Sequence, residues 1–289
     1  MAEILLGKPV ADALDASTAA RVEALKARGV TPTLATIRVG ENPSDMSYER
    51  SMVKRAEALG IATACYDLPA IATTNEVATI IADVNANPTI HGCLLFRPLP
   101  EGIDETYLCN DLLPTKDIDG IGDQSLAGVF MASHHGFPPA TAQACVEMLD
   151  HYGIPVEGKH ITVVGRSFVI GLPVGQLLLQ RHATITQCHS RTIDLAKHMR
   201  SADIVICASG RARAYGPDCF RADGTQTVLD VGINFDAEGN MCGDVDFGAV
   251  EPLVGAITPV PRGIGSVTTS VTMMHLVQAA ETQTATSQE

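Results

Sequence analysis

A glycine-containing turn between a strand-like and a helix-like segment is the part of the sequence best suited to bind a phosphate. His160–Val164 has strand character, Leu172–Arg181 has helix character, and Gly165 and Gly171 lie between them. Glycine lets the chain turn sharply, and a helix amino terminus offers free N–H groups and the positive end of its dipole to an anion. Because the turn lacks the spacing GxGxxG, an ordinary strand-to-helix turn fits about as well as a nucleotide site.

Cationic and hydroxyl side chains near this turn favour a ligand with more than one phosphate. Arg166 lies in the turn, where a guanidinium suits bidentate binding of a second phosphate. Ser190 and Arg191 follow the next strand, Ala183–Cys188, at the point where a Rossmann fold meets the adenosine ribose. No acidic residue directly follows that strand, so the pair favours a 2′-phosphate and therefore NADP over NAD. The alternative for Arg191 is a solvated surface charge.

A second candidate ligand site is a proline-rich loop in the first half of the chain. Arg97-Pro98-Leu99-Pro100 follows a buried strand-like run at 90–96. Two prolines cannot continue a central strand, because each removes a ladder donor. Loops at the carboxyl ends of strands in α/β sheets are frequent ligand sites.

The elements that must position these residues alternate between strand and helix along the whole chain. Strand-like runs are Thr33–Val39, 61–68 and 90–96 in the first half, with Ile204–Ala208 and Thr227–Val231 added in the second. Helical stretches are 9–28, 42–60, 74–86 and 267–280. Strands separated by helices of this length predict parallel sheets with crossover connections, and hence an α/β fold.

Length and charge limit the classes of protein that the chain can belong to. Its 289 residues are enough for two lobes, and 46% hydrophobic with 18% charged residues is typical of a globular protein. The formal net charge of −13 argues against nucleic acid and anionic membranes as partners, since both require a basic surface. A small-molecule substrate is the expected partner.

The cysteines and histidines predict neither disulfides nor a metal site. The eight cysteines are scattered without a CxxC pair, and no signal peptide or membrane-length apolar run is recognised. We therefore expect a reducing, cytoplasmic location. The neighbours Cys188 and His189 point to opposite faces of a strand, and His134-His135 is interpreted as a solvated pair, so no metal is expected.

Several strings, in order and at fixed spacing, resemble the bifunctional methylenetetrahydrofolate dehydrogenase/methenyltetrahydrofolate cyclohydrolase family. In the second half they are Val164-Gly165-Arg166-Ser167, Cys188-His189-Ser190, Asp230-Val231-Gly232-Ile233-Asn234, Gly243-Asp244-Val245-Asp246-Phe247 and Thr258-Pro259-Val260-Pro261. In the first half they are Pro98-Leu99-Pro100 and Lys116-Asp117-Ile118-Asp119-Gly120. The resemblance covers roughly Gly7 to Ala280.

This resemblance implies an N-terminal α/β substrate domain and a Rossmann-like NAD(P)-binding domain that face each other across a cleft. It places the first at residues 1–145, with 267–289 as a helix returning to it, and the second at 146–266. It implies a tetrahydrofolate derivative as substrate, its NADP-linked oxidation, and hydrolysis of the methenyl product at the same site. It also implies a homodimer formed through the nucleotide-binding domain.

The resemblance further assigns residues to the site. Tyr48 matches a tyrosine that stacks on the folate and Asp119 an aspartate that binds the pterin edge, so these two are the expected catalytic residues. The expected substrate-binding residues are Tyr48, Met52, Phe96, Arg97, Pro98, Leu99, Asp119, Pro261, Arg262 and Gly263. The expected cofactor-binding residues are Gly165, Arg166, Ser167, Val169, Ser190, Arg191, Ala208, Gly210 and Ile233.

The chain departs from the family pattern at its catalytic lysine. That lysine follows the tyrosine by four residues and corresponds to Met52, and the glutamine that holds it corresponds to Phe96. A buried lysine can carry a proton near neutral pH, whereas a thioether cannot. Lys54 is no substitute, because on a helix it lies about 200° from Met52, whereas Tyr48 lies about 40° away. We interpret the chain as a divergent member in which cyclohydrolase activity is lost or weakened.

Two cations are also new relative to the family pattern. Arg97 precedes Pro98, and Arg262 stands in place of one glycine of a family pair. Both would favour an added anionic group on the substrate. The alternatives are that Arg97 pairs with a carboxylate such as Glu101, and that Arg262 only caps a loop.

Three functions fit these residues. The first is an NADP-dependent methylenetetrahydrofolate dehydrogenase, because hydride transfer depends mainly on positioning two reactants. The second is a repurposed enzyme that uses methylenetetrahydrofolate as a one-carbon donor without redox chemistry, or that takes another substrate. The third is a non-catalytic nucleotide-binding or folate-binding relative.

Overall fold

The protein is described by a computed structural model, which covers residues 1–133 and 135–286. His134 and the last three residues, 287–289, therefore lie outside the described residues. The chain divides into two compact units. The large-sheet unit contains Met1–Asp12 and Thr141–Thr268, and the small-sheet unit contains Ala13–Ala140 and the chain from Thr269 on. The family resemblance places the first twelve residues in the N-terminal domain, whereas in the structure they belong to the large-sheet unit.

Strands and helices alternate through most of the chain, as the sequence pattern predicts. The strands are β1 (Glu3–Ile4), β2 (Thr33–Val39), β3 (Ala62–Leu68), β4 (Gly92–Leu95), β5 (His160–Val164), β6 (Thr184–Cys188), β7 (Ile204–Cys207), β8 (Thr227–Asp230), β9 (Asn234–Phe235), β10 (Met241–Cys242) and β11 (Ala256–Ile257). The α-helices are α1 (Gly7–Ala27), α2 (Pro43–Ala58), α3 (Thr74–Ala86), α4 (Glu105–Asp111), α5 (Asp123–Met131), α6 (Ala140–His151), α7 (Gly171–Gln180), α8 (Leu195–Ser201), α9 (Phe247–Val250) and α10 (Gly265–Thr286).

The large-sheet unit is built on a six-stranded sheet with the order β1-β11-β8-β7-β5-β6. All neighbouring strands in this sheet are parallel. β6 lies on one side of β5 and β7 on the other, so the direction of strand addition reverses at β5. In doubly wound sheets, ligands bind outside the carboxyl ends of the strands at such a reversal. The loops that follow β5, β6 and β7 are therefore the expected ligand site of this unit.

The small-sheet unit contains three parallel strands in the order β3-β2-β4. Every residue of the central strand β2 after Thr33 is buried, as expected for a strand covered on both faces. Ala35, Ile37 and Val39 join the apolar cluster formed with α3. Alternate residues point to the opposite face, where Leu34 joins the cluster that contains residues of α1, α2 and α10.

The C-terminal helix α10 packs against α1, which confirms the prediction that it returns to the first domain. Met273 and Leu276 of α10 share an apolar cluster with Val22 of α1. Near the end of α10, the Glu281 carboxylate pairs with the Arg21 guanidinium at 2.6 Å. The α/β class and the two-domain organisation of the prediction are confirmed as well.

Helix α2 begins where the sequence predicts and is held to β2 by a buried ion pair. The Asn42 side chain accepts a hydrogen bond from the Ser44 amide, and Pro43 occupies the first turn, where its missing N–H has no cost. Farther along, the Glu49 carboxylate accepts from the Arg38 guanidinium at 2.8 Å and from the Thr36 hydroxyl at 2.8 Å. Because Glu49 follows Tyr48 directly, this pair fixes the part of α2 that carries the predicted substrate-binding tyrosine.

Candidate active site

The nucleotide turn of the large-sheet unit begins at Gly165, directly after β5. Gly165 has a φ of +134°, and a Cβ at this position would collide with the Ala208 carbonyl oxygen. Its amide donates to the Cys188 carbonyl at 2.9 Å, and the Ala208 amide donates to the Val164 carbonyl at 2.8 Å. The loops that follow β5, β6 and β7 are therefore joined directly at the edge of the sheet, and only glycine fits where they meet.

Helix α7 presents its amino terminus beside this turn. The Ser167 hydroxyl accepts from the Ile170 amide at 3.2 Å, and the Ser167 carbonyl accepts from the Leu172 amide at 3.0 Å. A Cβ on Gly171 would collide with the carbonyl oxygen of Gly165, which explains the second glycine of the turn. The turn therefore leads directly into the first residues of α7, as in the strand–turn–helix units that bind phosphate.

A cavity of about 270 Å³ lies over these loops. Five of the predicted cofactor residues line it: Gly165, Arg166, Ser167, Ser190 and Ala208. Sequence reasoning missed other lining residues: His189, Thr192, Leu195, Ser209, Arg211 and Tyr215. Arg211 could have been found, because it follows β7 at the same carboxyl edge as the turn. Among the described residues that line the cavity, none carries a carboxylate and two carry a guanidinium, so this cavity suits a ligand with phosphate groups.

The remaining predicted cofactor residues lie at other positions in this unit. Arg191 and Val169 are exposed and do not belong to the cavity lining, and Gly210 lies in the loop between the lining residues Ser209 and Arg211. Ile233 lines a second cavity of about 230 Å³, which the predicted substrate residues Pro261, Arg262 and Gly263 line as well.

Arg262 adopts a backbone conformation that favours glycine. Its φ is +82°, in the left-handed region that costs about 1–3 kcal/mol for a residue with a Cβ. The Arg262 carbonyl accepts from the Gly7 amide at 2.8 Å, which helps to hold this conformation. The Arg262 side chain is exposed at the edge of the second cavity. An arginine at a position suited to glycine places a cation there at a cost in backbone energy.

In the small-sheet unit, Tyr48 and Phe96 are in contact and Met52 is buried. The Tyr48 and Phe96 rings meet edge to face, with their centroids 6.0 Å apart. Tyr48 is 38% exposed, so part of its ring remains available to a ligand. Met52 is 0% exposed and belongs to the same apolar cluster as Phe96. Met52 therefore lies in the hydrophobic core, whereas the family resemblance predicts that it lines the substrate site.

Asp119 has a carboxyl group whose ionisation is shifted toward neutral pH. Burial, with a smaller effect from the neighbouring Asp117 carboxylate, raises the pKa of Asp119 to about 7, and Arg97 acts in the opposite direction. Asp117 is itself held by the Ser125 hydroxyl at 2.6 Å and by the amides of Ile121 and Gly122. Asp119 therefore exchanges a proton in the pH range in which many enzymes work.

Arg97 pairs with a nearby carboxylate, as one alternative from the sequence proposed, but the partner is Glu105 rather than Glu101. The guanidinium lies 3.6 Å from the Glu105 carboxylate, and the other carboxylate oxygen accepts from the Leu99 amide at 2.8 Å. Glu105 is the first residue of α4, whose position the sequence pattern did not indicate. The loop that contains Pro98 and Leu99 is thereby tied to the start of α4.

Arg55 was not predicted as a site residue, although it lies on the same face of α2 as Tyr48. Its guanidinium donates to the Asp15 carboxylate at 2.5 Å and to the Ser270 hydroxyl at 2.7 Å. Burial of the hydroxyl raises the pKa of Tyr48 to about 12, whereas the Thr269 side chain and the Arg55 charge act to lower it. Seven residues span about two helical turns, so helical periodicity alone could have identified this cation.

Two negative findings concern only the residues that the structure describes. Within 1–133 and 135–286, there is no group of three or more histidine, cysteine or acidic side chains able to hold a metal ion. None of the helices in these ranges has both the length and the apolar character needed to cross a membrane. The eight cysteines all lie in these ranges and are free thiols.

The fold and the first cavity define a two-domain α/β protein with a Rossmann-type nucleotide-binding domain. Two family models match the chain: the catalytic domain of tetrahydrofolate dehydrogenase/cyclohydrolase over residues 5–119, and the NAD(P)-binding domain of the same family over residues 139–284. The chain belongs to the tetrahydrofolate dehydrogenase/cyclohydrolase family of enzymes.

Individual relatives agree with this assignment over nearly the whole chain. The bifunctional protein FolD of Alkaliphilus oremlandii is 42% identical over 283 residues, which are 98% of this chain and 99% of that protein. The crystal structure of the bifunctional enzyme FolD from Campylobacter jejuni has a TM-score of 0.94 at 32% identity and covers 98% of this chain and 99% of its own. The Trypanosoma brucei FolD structure, complexed with NADP cofactor and inhibitor, has a TM-score of 0.91 at 30% identity, covering 98% of each chain.

Proposed function

We propose that this protein is an NADP-dependent methylenetetrahydrofolate dehydrogenase whose cyclohydrolase activity is lost or weakened. The observation that carries the dehydrogenase half is the nucleotide cavity at the reversal point of the large sheet. Its Gly165 turn, the amino terminus of α7 and the Arg166 and Arg211 guanidinium groups fit a ligand with several phosphates. NADP, when bound, supplies the acceptor for a hydride.

The chain's own residues have separate tasks in this proposal. Arg166, Ser167, Ser190 and Arg211 hold the nucleotide, with Ser190, in the loop after β6, suited to the 2′-phosphate that distinguishes NADP from NAD. Tyr48 offers a ring face to the folate, and Asp119 accepts hydrogen bonds from the pterin edge. These tasks are positioning tasks, and positioning alone can supply much of the rate of hydride transfer.

The proposed loss of cyclohydrolase activity depends on Met52 and Phe96. Water attack on the methenyl carbon requires a group that moves a proton or stabilises developing charge. By resemblance the family places a lysine there, and this chain has a thioether with no exposed surface in an apolar cluster. The nearby cation Arg55 is engaged by Asp15 and Ser270, and a guanidinium does not release its proton in the working pH range.

An assay with purified protein tests the proposed function. With methylenetetrahydrofolate and NADP, we expect NADPH to form at a rate that saturates with both, and kcat/KM for NADP to exceed that for NAD at least about tenfold. Heat-inactivated protein is the control. No NADPH at any substrate concentration would rule out the dehydrogenase and favour a non-redox use of the same substrate or a purely binding role.

The raised pKa of Asp119 leads us to expect that folate binding depends on pH. Because the pKa of its carboxyl is raised to about 7, the group is largely neutral below that pH and becomes ionised above it. Two pterin N–H groups require the ionised form, so the dissociation constant for tetrahydrofolate should rise about tenfold for each pH unit below about 7 and level off above it. Calorimetry between pH 5.5 and 8.5 measures this in buffer of constant ionic strength.

The Asp119→Asn variant is the control for this pH dependence. Its amide does not ionise, so its weaker binding should be independent of pH over the same range. A wild-type dissociation constant that is constant from pH 5.5 to 8.5 would contradict the assignment of Asp119 to the pterin edge.

We further propose a cytoplasmic homodimer that forms through the nucleotide-binding domain. The absence of clustered cysteines and the family resemblance support this proposal. Sedimentation equilibrium should give twice the chain mass of 30.4 kDa, and a mass of one chain at micromolar concentration would exclude a stable dimer.

A further inference from the structure

Two buried aspartates of the large-sheet unit are interlocked with two glycines. Asp230 ends β8, Asp244 follows β10, and the two residues are 3% and 0% exposed. A Cβ on Gly243 would collide with the Asp230 carboxylate, and a Cβ on Gly232 would collide with the Asp244 carboxylate. The Asp230 carboxylate thus fills the space beside Gly243, which precedes Asp244. The Asp244 carboxylate fills the space beside Gly232, which lies two residues after Asp230. This arrangement accounts for the Asp-Val-Gly and Gly-Asp-Val strings of the sequence.

Asp230 fixes the backbone that carries Asp244. Its carboxylate accepts from the Asp244 and Val245 amides at 2.9 Å each and from the Gly232 amide at 3.2 Å. The Asp230 amide donates to the hydroxyl of Thr258, the residue that follows β11, at 2.7 Å. Asp244 is therefore attached to the end of a central strand.

The Asp244 side chain uses this rigid position to hold a loop elsewhere in the chain. One carboxylate oxygen, Oδ2, accepts from the Ser209 amide at 2.5 Å, the Ser209 hydroxyl at 2.9 Å and the Gly210 amide at 3.2 Å. The other, Oδ1, accepts from the Arg211 amide and the Asn234 side chain at 2.9 Å each. Three successive loop amides therefore end on one buried charge, which makes these hydrogen bonds stronger than neutral ones.

The loop that Asp244 holds forms part of the nucleotide cavity. Ser209 and Arg211 line that cavity, whereas Asp244 is fully buried and does not line it. We propose that Asp244 is a positioning residue for nucleotide binding, acting through the backbone of residues 209–211 and so through the direction of the Arg211 side chain. The inference rests on the nucleotide half of the proposed function.

The test compares Asp244→Asn with Asp246→Asn. Both changes remove one carboxylate from the same segment, but the Asp246 side chain holds no part of the 209–211 loop. An asparagine at 244 keeps the shape and sets an N–H₂ group against loop N–H donors. We expect the calorimetric dissociation constant for NADP to rise at least about tenfold in Asp244→Asn and to stay within about twofold in Asp246→Asn.

A kinetic comparison separates positioning from a general loss of structure. In Asp244→Asn, KM for NADP should rise by a similar factor to the dissociation constant, with kcat at saturating NADP lowered less than about threefold. If kcat of Asp244→Asn fell by the factor expected for KM, and KM for NADP stayed unchanged, the inference would be overturned.

Amide hydrogen exchange provides a readout that does not depend on nucleotide binding. In the wild-type protein, the amides of residues 209–211 should exchange as slowly as those of the adjoining strand β7, although they belong to a loop. In Asp244→Asn the same amides should exchange at least about tenfold faster, whereas the exchange rates of the β5 amides should not change.

Each result decides the inference. Fast exchange of these amides in the wild-type protein, or an NADP affinity of Asp244→Asn within about twofold of wild type, would show that the loop does not depend on this carboxylate. If wild-type protein does not bind NADP, the proposed function fails together with the nucleotide-positioning role, and the exchange data alone then report whether Asp244 holds the loop.

Discussion

The double variant Met52→Lys/Phe96→Gln should hydrolyse methenyltetrahydrofolate at least about a hundredfold faster than the parent protein. The expectation rests on the size of general acid–base catalysis, which contributes about 10²–10⁴ to a rate. Met52 and Phe96 belong to one apolar cluster, and Met52 has no exposed surface. An ammonium group placed there alone would be desolvated without a partner, so the glutamine is required as an acceptor.

The measurement is the decay of methenyl absorbance, corrected for the uncatalysed reaction in the same buffer. The matched control is Met52→Gln/Phe96→Gln, which makes the same site polar with side chains of similar size but adds no titratable group. We expect this control to remain at the parental rate. The dehydrogenase rate of all three proteins should vary less than about tenfold, because hydride transfer depends on positioning rather than on this ammonium.

Two results would count against the proposed loss of the second activity. One is a parent protein that hydrolyses the methenyl compound as fast as the double variant, because the activity would then not depend on a lysine at this position. The other is a polar control that gains as much as the lysine variant, because access of water rather than proton transfer would then limit the parent. The single variant Met52→Lys should be the least stable of the set, since it buries a charge without the acceptor.

The sequence predicted the nucleotide site better than the substrate site, and the reason is the distance between the interacting residues. The Gly165 turn is a local feature, because strand, turn and helix follow one another along the chain. The burial of Met52 depends on a cluster that combines α1, α2, β4 and α10, which are far apart in sequence. Helical periodicity correctly placed Tyr48 and Met52 near one face of α2 but could not show how deep each residue lies.

The ion-pair and hydrogen-bond partners of charged residues can be predicted from sequence only where a helix or strand fixes the spacing between the two residues. Arg97 pairs with Glu105 rather than Glu101, because α4 begins at Glu105 and brings that carboxylate back toward the loop. The Asp244 carboxylate accepts hydrogen bonds from a loop 33 to 35 residues away, a contact that no local spacing in the sequence indicates. Such contacts arise only when β7, β8 and the segment after β10 meet at one edge of the sheet.

Removing Glu49 should destabilise the protein more than any surface substitution. Glu49 and Arg38 have side chains only 10% and 9% exposed, and their atoms meet at 2.8 Å. Glu49→Ala leaves the Arg38 charge buried with the Gly40 carbonyl and a single carboxylate, that of Asp67, whose side chain is 57% exposed. Breaking a buried pair typically costs about 3–5 kcal/mol, and because Asp67 remains we expect about 3 kcal/mol in the free energy of unfolding.

Urea unfolding followed by circular dichroism measures this loss, with Glu23→Ala as the matched control. Glu23 also pairs with a basic residue, Lys26, but its side chain is 73% exposed, so its removal should cost less than about 1 kcal/mol. A cost below about 1 kcal/mol for Glu49→Ala would show that Arg38 is satisfied by its other partners, which are Asp67 and the Gly40 carbonyl.

Replacing both members of the pair separates the cost of an orphaned charge from the value of the pair itself. Arg38→Met/Glu49→Leu fills the same space with apolar atoms, and most of the stability lost in Glu49→Ala should return. Folate affinity should not return to the same extent, because Glu49 also accepts from Thr36 and fixes the turn of α2 that presents Tyr48. A double variant with restored stability but weakened tetrahydrofolate binding would assign the ion pair to the orientation of Tyr48, whereas recovery of both would assign it to stability alone.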